Sequence, residues 1–577
     1  MENIKSMNKL LLIIIFIFSA ISCSEQEKPI SENFKERGLS SLHAKEFKKD
    51  IIRIEENIYV AIGYALANVI MIVGENENVI VDTTGSEEAA SIIKEKLDKI
   101  SSNPVNNIIY THNHPDHIGG ATIFANTLDA NIYGQENILY NIDNISTIIR
   151  PIIYERSARQ FGIPLNKEDI VHQGIGGFLE INAETTTGLL RPNITFDKEL
   201  SLNIDNISIE LAHVPGETDD HLYVYLPDQE AVMVGDNFYR SFANLYAIRG
   251  TKYRNPMEWV YSLDKIRSLN AKYLVPSHSR PVIGKDNVYN ALTDYRDAIQ
   301  FVHDQTVRYI NKGLLPDEIV ARINLPPHLR SSPYLQEFYG SVSSYVRSIF
   351  AGYIGWFNGN ITSLHPLSAE DKAEKMIELA SKKTDLHEAA KLALENGEYQ
   401  WAMELTDSLI AFDSKDQKAK DIKAVAAEKF ALTQTASNDY YFYKTVAGEL
   451  RGDYEVYFKD IKASAQQLKA IPMKSIMKSL PVNLNAEKTL DINKKVMFKF
   501  SDTEDVFILN IRRGIVELGY NEISDADLVV LSNQHEIKEI LAGLKNIAQI
   551  SLALTDGSIS IEGGRLEFLK TLGYFTD

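Results

Sequence analysis

The chain has 577 residues, 44% of them apolar and 24% charged, with a formal net charge of −18. At ~100–200 residues per domain this is a three- or four-domain globular protein, and the mixed composition excludes a disordered chain or a bundle of membrane spans. So acidic a chain has no field to attract a phosphate backbone, so no nucleic acid is expected as a partner. One cysteine excludes an internal disulfide and a thiolate-based zinc site, leaving His, Asp and Glu as the available metal ligands.

Taken in chain order, the first feature is the apolar run Leu10 to Ile21, preceded by Lys5 and Lys9 and followed by small residues and Cys23. It is too short for the ~30 Å bilayer core and has the layout of an export signal. Ala20-Ile21-Ser22-Cys23 resembles a bacterial lipobox, although the usual leucine is here Ala20. The resemblance implies a signal over 1–22, lipid attachment at Cys23, a polar tether over 23–50, and a protein exported and lipid-anchored to a bacterial membrane in the cell envelope.

From 51 to 84, apolar and polar residues alternate between Gly and Asn turns, which predicts strands. A helix is predicted over 87–100, and a strand over Val105–Tyr110 runs into Thr111-His112-Asn113-His114-Pro115-Asp116-His117. Further strands follow at 206–214, 221–226 and 230–235, a helix at 256–269, and a strand at 273–275 ending in Pro276-Ser277-His278. This alternation predicts an α/β domain over 51–290. The segment 291–440 reads as helical, with a tetratricopeptide-like hairpin near 389–402. Residues 445–577 read as a small α+β domain, with a hairpin over 498–520, a helix over 535–545 and a strand pair over Ser551–Glu562 around Asp556-Gly557. Tyr353, Trp356 and Phe357 stand at helical spacing and are expected in a core.

Three of the thirteen histidines, His112, His114 and His117, fall within six positions, with Asp116 among them. Imidazole and carboxylate without thiolate suit zinc or a similar divalent ion. Glu217, Asp236 and His278 stand at later strand ends and complete a ligand set. His213 and His221 are expected to orient or support the ligands, and Asp82 to orient an imidazole.

Asp82 after an apolar strand, His112-x-His114-x-Asp116-His117, the residue after Pro215-Gly216, the Gly235-Asp236 pair and the late His278 resemble the metallo-β-lactamase fold superfamily. Glu217, where most of that superfamily has histidine, makes the chain similar to its alkyl/aryl-sulfatase family, which has glutamate at the bridging position where this chain has Asp236. Asn244-Leu245-Tyr246-Ala247-Ile248-Arg249-Gly250 and Glu155-Arg156-Ser157-Ala158-Arg159-Gln160 are similar to stretches of that family. So are Leu325-Pro326-Pro327-His328-Leu329, Tyr339-Gly340-Ser341-Val342 and Gly355-Trp356-Phe357-Asn358-Gly359-Asn360.

The resemblance implies an α/β metallo-β-lactamase αββα sandwich, then an all-α dimerisation domain giving a homodimer, then a sterol-carrier-protein-like α+β domain. It implies two Zn²⁺ per chain: His112, His114 and Glu217 on one, Asp116, His117 and His278 on the other, with Asp236 bridging. A water between the ions, with Asp116 and Asp236 around it, would attack an alkyl or aryl sulfate ester. Asn244, Arg249, Arg254 and Tyr339 would hold the sulfate. The family's two proton-donating or sulfate-facing histidines are replaced here by Ala243 and Ser344. That leaves Tyr246 or Tyr339 to serve the leaving oxygen. The competing expectations are another ester or phosphoester hydrolase of the same fold, or a lipid-binding lipoprotein with a vestigial metal site.

Overall fold

A computed structural model describes residues 42–170, 172–179, 185–382, 384–456 and 465–575. The export signal, Cys23 and most of the expected tether lie outside the described residues. The alternating segments build a seven-stranded sheet in chain order: β1 (Asp50–Glu55), β2 (Ile58–Ile62), β3 (Val69–Val73), β4 (Asn78–Val81), β5 (Val105–Ile109), β6 (Asn131–Gln135) and β7 (Ile194–Phe196). The strands from β1 to β4 pair antiparallel, and those from β4 to β7 pair parallel. A second, six-stranded sheet comprises β8 (Glu199–Ile204), β9 (Ile207–His213), β10 (Leu222–Leu226), β11 (Ala231–Met233), β12 (Tyr273–Val275) and β13 (Val282–Ile283). Only β11 and β12 pair parallel in it.

Successive side chains of a strand face opposite sides of a sheet, and here both sides are buried. Val79 and Val81 meet Leu211, Val224 and Met233 of the other sheet in the central core. Ile80, between them, packs outward against Ala90 and Ile93 of the helix Glu87–Leu97. Val232 and Leu274 likewise pack outward against Trp259 and Leu263 of the helix Pro256–Ser268 and Tyr295 and Ile299 of the helix Lys285–Ile310. The result is the expected four-layer αββα sandwich.

Beyond it, helices Leu386–Glu395, Tyr399–Phe412 and Gln417–Ala431 share one small-residue core, as the hairpin pattern predicts. The helix Ser437–Arg451 continues the stack and docks on the sandwich. There Tyr441 donates to His172 O at 2.7 Å, and Arg159 forms a two-bond fork with Glu449, each bond 2.8 Å. The C-terminal unit is a five-stranded sheet of order β16-β15-β14-β17-β18, from β14 (Asn493–Phe500), β15 (Val506–Arg512), β16 (Ile515–Gly519), β17 (Leu528–Ser532) and β18 (Ile559–Glu562), covered by helices. It touches the sandwich where Ser475 donates to Asp143 at 2.7 Å. No described helix is long and apolar enough to cross a membrane.

Two expectations need correction. The segment expected as a strand pair around Asp556-Gly557 is instead a helix, Ile547–Asp556, followed by the single strand β18. Gly557 is not a hairpin residue but the left-handed end of that helix, at φ 88°, and an Asn546/Gln549 capping box starts it. The expected core position of Trp356 and Tyr353 is also overturned, since they are 75% and 53% exposed. The apolar face of the helix Val342–Ile354 is filled by Tyr345, Val346 and Ile349, and these two aromatics fall on or beyond its open end.

Candidate metal centre

Every expected metal ligand sits just beyond a strand or in a loop at one end of the sandwich. His112 to His117 follow β5, with His114 capping the short helix Pro115–Ile118. Glu217 lies in the β9–β10 loop, Asp236 in the 3-10 turn Gly235–Asn237 after β11, and His278 follows β12. That turn requires glycine: Gly235 has φ 54°, and a Cβ there would lie 2.8 Å from Thr111 and 3.0 Å from His221 Nε2.

Ligand atoms of His112, His117 and Asp236, of Asp116, His117 and His278, and of His114, Glu217 and Asp236 form three groups, each within 4.8 Å. Asp236 belongs to two of them, the position a bridging carboxylate would take. His278 Nε2 is 3.2 Å from Asp236 Oδ1 and 3.5 Å from Asp116 Oδ2, and His117 Nε2 is 3.4 Å and 3.6 Å from the same two carboxylates. Two ligands each ~2.0–2.1 Å from one tetrahedral ion stand roughly 3.3 Å apart, so these spacings suit a zinc-sized ion.

The hydrogen bonds behind the rings fix which nitrogen faces the centre. His117 Nδ1 donates to Asp82 Oδ2 at 2.8 Å, and His278 Nδ1 donates to Leu66 O at 2.9 Å. The Thr111 hydroxyl donates to Asp82 at 2.8 Å, so it accepts from His112 Nδ1, 3.0 Å away. All three rings therefore carry the proton on Nδ1 and present a bare Nε2. Those three Nε2 atoms and Asp236 Oδ1 are buried with no hydrogen-bond partner. Four converging, unsatisfied, electron-rich atoms are costly unless a cation satisfies them. The donor set fits a divalent metal.

The charges point the same way. Burial opposes ionisation of Asp236, yet His278, His117 and His112 hold its carboxyl well below the usual range. Burial opposes charge on His117 too, but Asp236, Asp116 and Asp82 raise it well above an ordinary histidine, so these carboxylates draw positive charge to its Nε2, a second proton or a metal ion in that proton's place. Burial, then neighbouring His221 and His117, depress His112, and burial with Arg249 depresses His114. Glu217 is raised by burial against the pull of Arg254.

The structure brings the expected sulfate-binding residues to the same place, though not all facing open space. Arg254 donates from Nη1 to Glu217 Oε1 at 2.7 Å and to Asn244 O at 2.5 Å, while its Nη2 is buried without a partner. Asn244 Nδ2 donates to Glu217 Oε1 at 2.9 Å. Arg249 Nη2 lies 3.4 Å from His114 Nε2. The Tyr339 phenol is buried and held far above its usual range by burial, then by Glu217, so it stays protonated. Tyr246 is not joined to this group: it packs against the core cluster under the helix Pro256–Ser268 and makes no hydrogen bond among the described residues. Ala243 is buried in the same cluster, and Ser344 turns to Ser341 at 3.1 Å.

His221 has a supporting role, as expected: its Nε2 accepts the Asp236 amide at 3.1 Å and its ring stacks on His112 at 3.9 Å. His213 bonds Asp219 O at 2.8 Å, away from the ligands. Sequence reasoning missed Thr111, Ser277, Tyr239 and Gln160. Ser277 donates to Asp82 at 2.6 Å, and Tyr239 donates to Glu217 at 3.4 Å while accepting the Asn244 amide at 2.9 Å. Thr111 and Ser277 were marked only by standing next to ligands, Gln160 only by closing the Glu155–Gln160 stretch that is similar to the family, and Tyr239 carried no signal.

A sandwich of this topology with a His/Asp/Glu set at one end defines a class: profiles of the metallo-beta-lactamase superfamily match residues 63–278. Those of alkyl sulfatase dimerisation and the alkyl sulfatase C-terminal region match 315–453 and 462–577. The chain is 33% identical over 514 residues to a linear primary-alkylsulfatase of Pseudomonas sp. (strain ATCC 19151), covering 86% of this chain and 96% of that one. The protein belongs to the alkylsulfatase family. It is also 25% identical over 541 residues to the alkyl/aryl-sulfatase BDS1 of Saccharomyces cerevisiae, covering 91% and 82% of the two chains. The fold is shared with the stereoselective inverting sec-alkylsulfatase Pisa1 from Pseudomonas sp., with a TM-score of 0.86 at 21% identity over 96% of this chain and 88% of that one.

Proposed function

We propose that the protein is a two-zinc hydrolase that converts an alkyl or aryl sulfate ester and water into an alcohol and inorganic sulfate. The observation that carries this reading is the cationic wall beside the ligand set, made of Arg249 and the unpartnered Nη2 of Arg254. A neutral ester has no use for two guanidinium groups beside two divalent ions, whereas a sulfate ester places three oxygens there. His112, His114 and Glu217 would hold one ion and Asp116, His117 and His278 the other, with Asp236 shared. When bound, the pair would supply positive charge and a water acidified to near-neutral pH.

The chain's own residues do the rest. Arg249 and Arg254 orient the sulfate and offset the charge that collects on it as the ester bond breaks. Tyr339 donates its phenolic proton toward the leaving oxygen, the role that Ala243 and Ser344 have no side chain in place to fill. The cavity of about 320 Å³ that reaches Asp116 is mixed in character, with Tyr64, Leu66, Phe178 and Leu179 offering apolar contact to the organic group beside Lys49 and Ser86. Lipid on Cys23 would keep the enzyme at a bacterial envelope membrane, so Cys23→Ser should move it from the membrane fraction to the soluble fraction; unchanged partition would refute the anchor.

Arg249→Ala tests the substrate assignment. Losing one charge-assisted pair in a water-poor site costs on the order of 2–4 kcal/mol of transition-state stabilisation, or ~30- to 1000-fold in kcat/KM. Arg249→Lys should recover only part, because an ammonium cannot reproduce the planar fork. Metal content should be normal in both. Parent-like turnover of a medium-chain alkyl sulfate by Arg249→Ala would remove sulfate from the reading.

A further inference from the structure

The helix Arg150–Phe161 carries two side chains, one turn apart, that grip a single peptide group of the arginine loop. Arg156 Nη2 donates to Ile248 O at 2.5 Å, and Gln160 Oε1 accepts from Arg249 N at 2.9 Å. Ile248 C=O and Arg249 N–H are the two ends of one planar unit, so holding both fixes its rotation and hence the direction in which the Arg249 side chain leaves the backbone. The other end of the Gln160 amide is also engaged: Nε2 donates to Tyr339 Oη at 3.4 Å. Gln160 is fully buried, so water does not compete for either bond.

An amide presents an acceptor and a donor that cannot exchange roles without rotating the group. With Oε1 committed to Arg249 N–H, Nε2 must face Tyr339, where it occupies a lone pair of the phenolic oxygen. The phenolic hydrogen is thereby turned away from Gln160. The helix itself is fastened to the helical region by the Arg159–Glu449 fork, in the same turn as Gln160. Tyr339 comes from that region and Arg249 from the sandwich, and one side chain ties both to a rigid element.

We propose that Gln160 is a positioning residue for the hydrolysis, aiming Arg249 at the sulfate group and directing the Tyr339 proton to the leaving oxygen. This rests on the sulfatase reading given above. Two substitutions separate the two roles. Gln160→Leu removes both bonds. Gln160→Glu keeps an acceptor for Arg249 N–H, but its carboxylate accepts a hydrogen bond from the Tyr339 phenol and so turns the phenolic hydrogen inward; when protonated, the same carboxyl donates as glutamine does.

The experiment is steady-state kinetics of the zinc-loaded full chain on a medium-chain alkyl sulfate across pH, with zinc content and thermal midpoint measured for each variant. Gln160→Leu should raise KM and lower kcat, each by about tenfold. Gln160→Glu should keep a parent-like KM and lose kcat progressively toward alkaline pH, a limb absent from the parent. A structural defect would lower activity at every pH and shift the thermal midpoint, without splitting KM from kcat. In Tyr339→Phe, the further change to Gln160→Glu should cost no more kcat. If Gln160→Glu has the parent's pH profile, or costs as much kcat in Tyr339→Phe as in the parent, the positioning role is wrong. A parent that releases no sulfate would instead overturn the reading on which it rests.

Discussion

Asp82 shows how much of the centre depends on residues that touch no metal. Its Oδ2 accepts from Thr111, His117 and Ser277, and its Oδ1 accepts the Thr111 amide at 2.8 Å, so it sets the rings of both His117 and, through Thr111, His112. It does so from a left-handed backbone, φ 57°, that a residue with a Cβ adopts at a cost. Asp82→Ala should therefore weaken metal binding by ~10- to 100-fold, the usual effect of losing such a partner. Competition against a chelator checks this, and parent-like affinity would contradict it. The candidate ligands were legible in the sequence as a cluster, because His, Asp and Glu stand there at offsets that little else explains, and the structure brings them together. The residues that hold them were less so. Asp82 was visible because it ends an apolar strand, whereas Gln160 and Tyr239 are ordinary polar residues whose partners lie 89 and 22 positions away.

Among the elements, strands with strict alternation and helices with clear period were legible, since burial on one or both faces leaves a pattern. The helix Ile547–Asp556 was not, because its Asp-Gly end carries the same signal as a hairpin turn. The segment at His43 was equally hidden. Its ring stacks on Phe338 at 4.1 Å, its Nε2 lies 2.8 Å from Gly174 O, and burial pushes its pKa down to about 4. The folded value lies below the unfolded one, so the unfolded chain binds the extra proton between them. This contribution to stability is complete above pH ~6.5 and is lost as pH falls toward ~4, by roughly 3 kcal/mol in all. His43→Gln should flatten that acid limb relative to the parent in melts from about pH 7 to about pH 5. Parallel curves would show that His43 does not titrate in this way.

For the whole molecule, the order of sandwich, helical region and C-terminal sheet was legible from shifts in periodicity, but surface and core were not always told apart. Trp356 and Ile361 are 75% and 80% exposed, with Tyr353, Ile354, Leu364 and Leu367 also open to solvent in the same stretch. Helical spacing cannot distinguish a face that meets its own chain from one that meets a second copy. An apolar surface in a region matching the alkyl sulfatase dimerisation profile supports a homodimer through this stretch. Trp356→Asp with Ile361→Asp should give a monomeric mass by sedimentation while the parent sediments as a dimer. A dimeric double variant would place the interface elsewhere.

The central claim is sulfate ester hydrolysis at a metal centre, and the most direct measurement is inorganic sulfate released from a medium-chain alkyl sulfate by the purified chain, before and after chelation and zinc reloading. The account predicts one sulfate per alcohol formed, loss of release on chelation, and its return with zinc. Release that survives complete metal removal, or turnover of a carboxylic ester or phosphoester with no sulfate released from the alkyl sulfate, would contradict it.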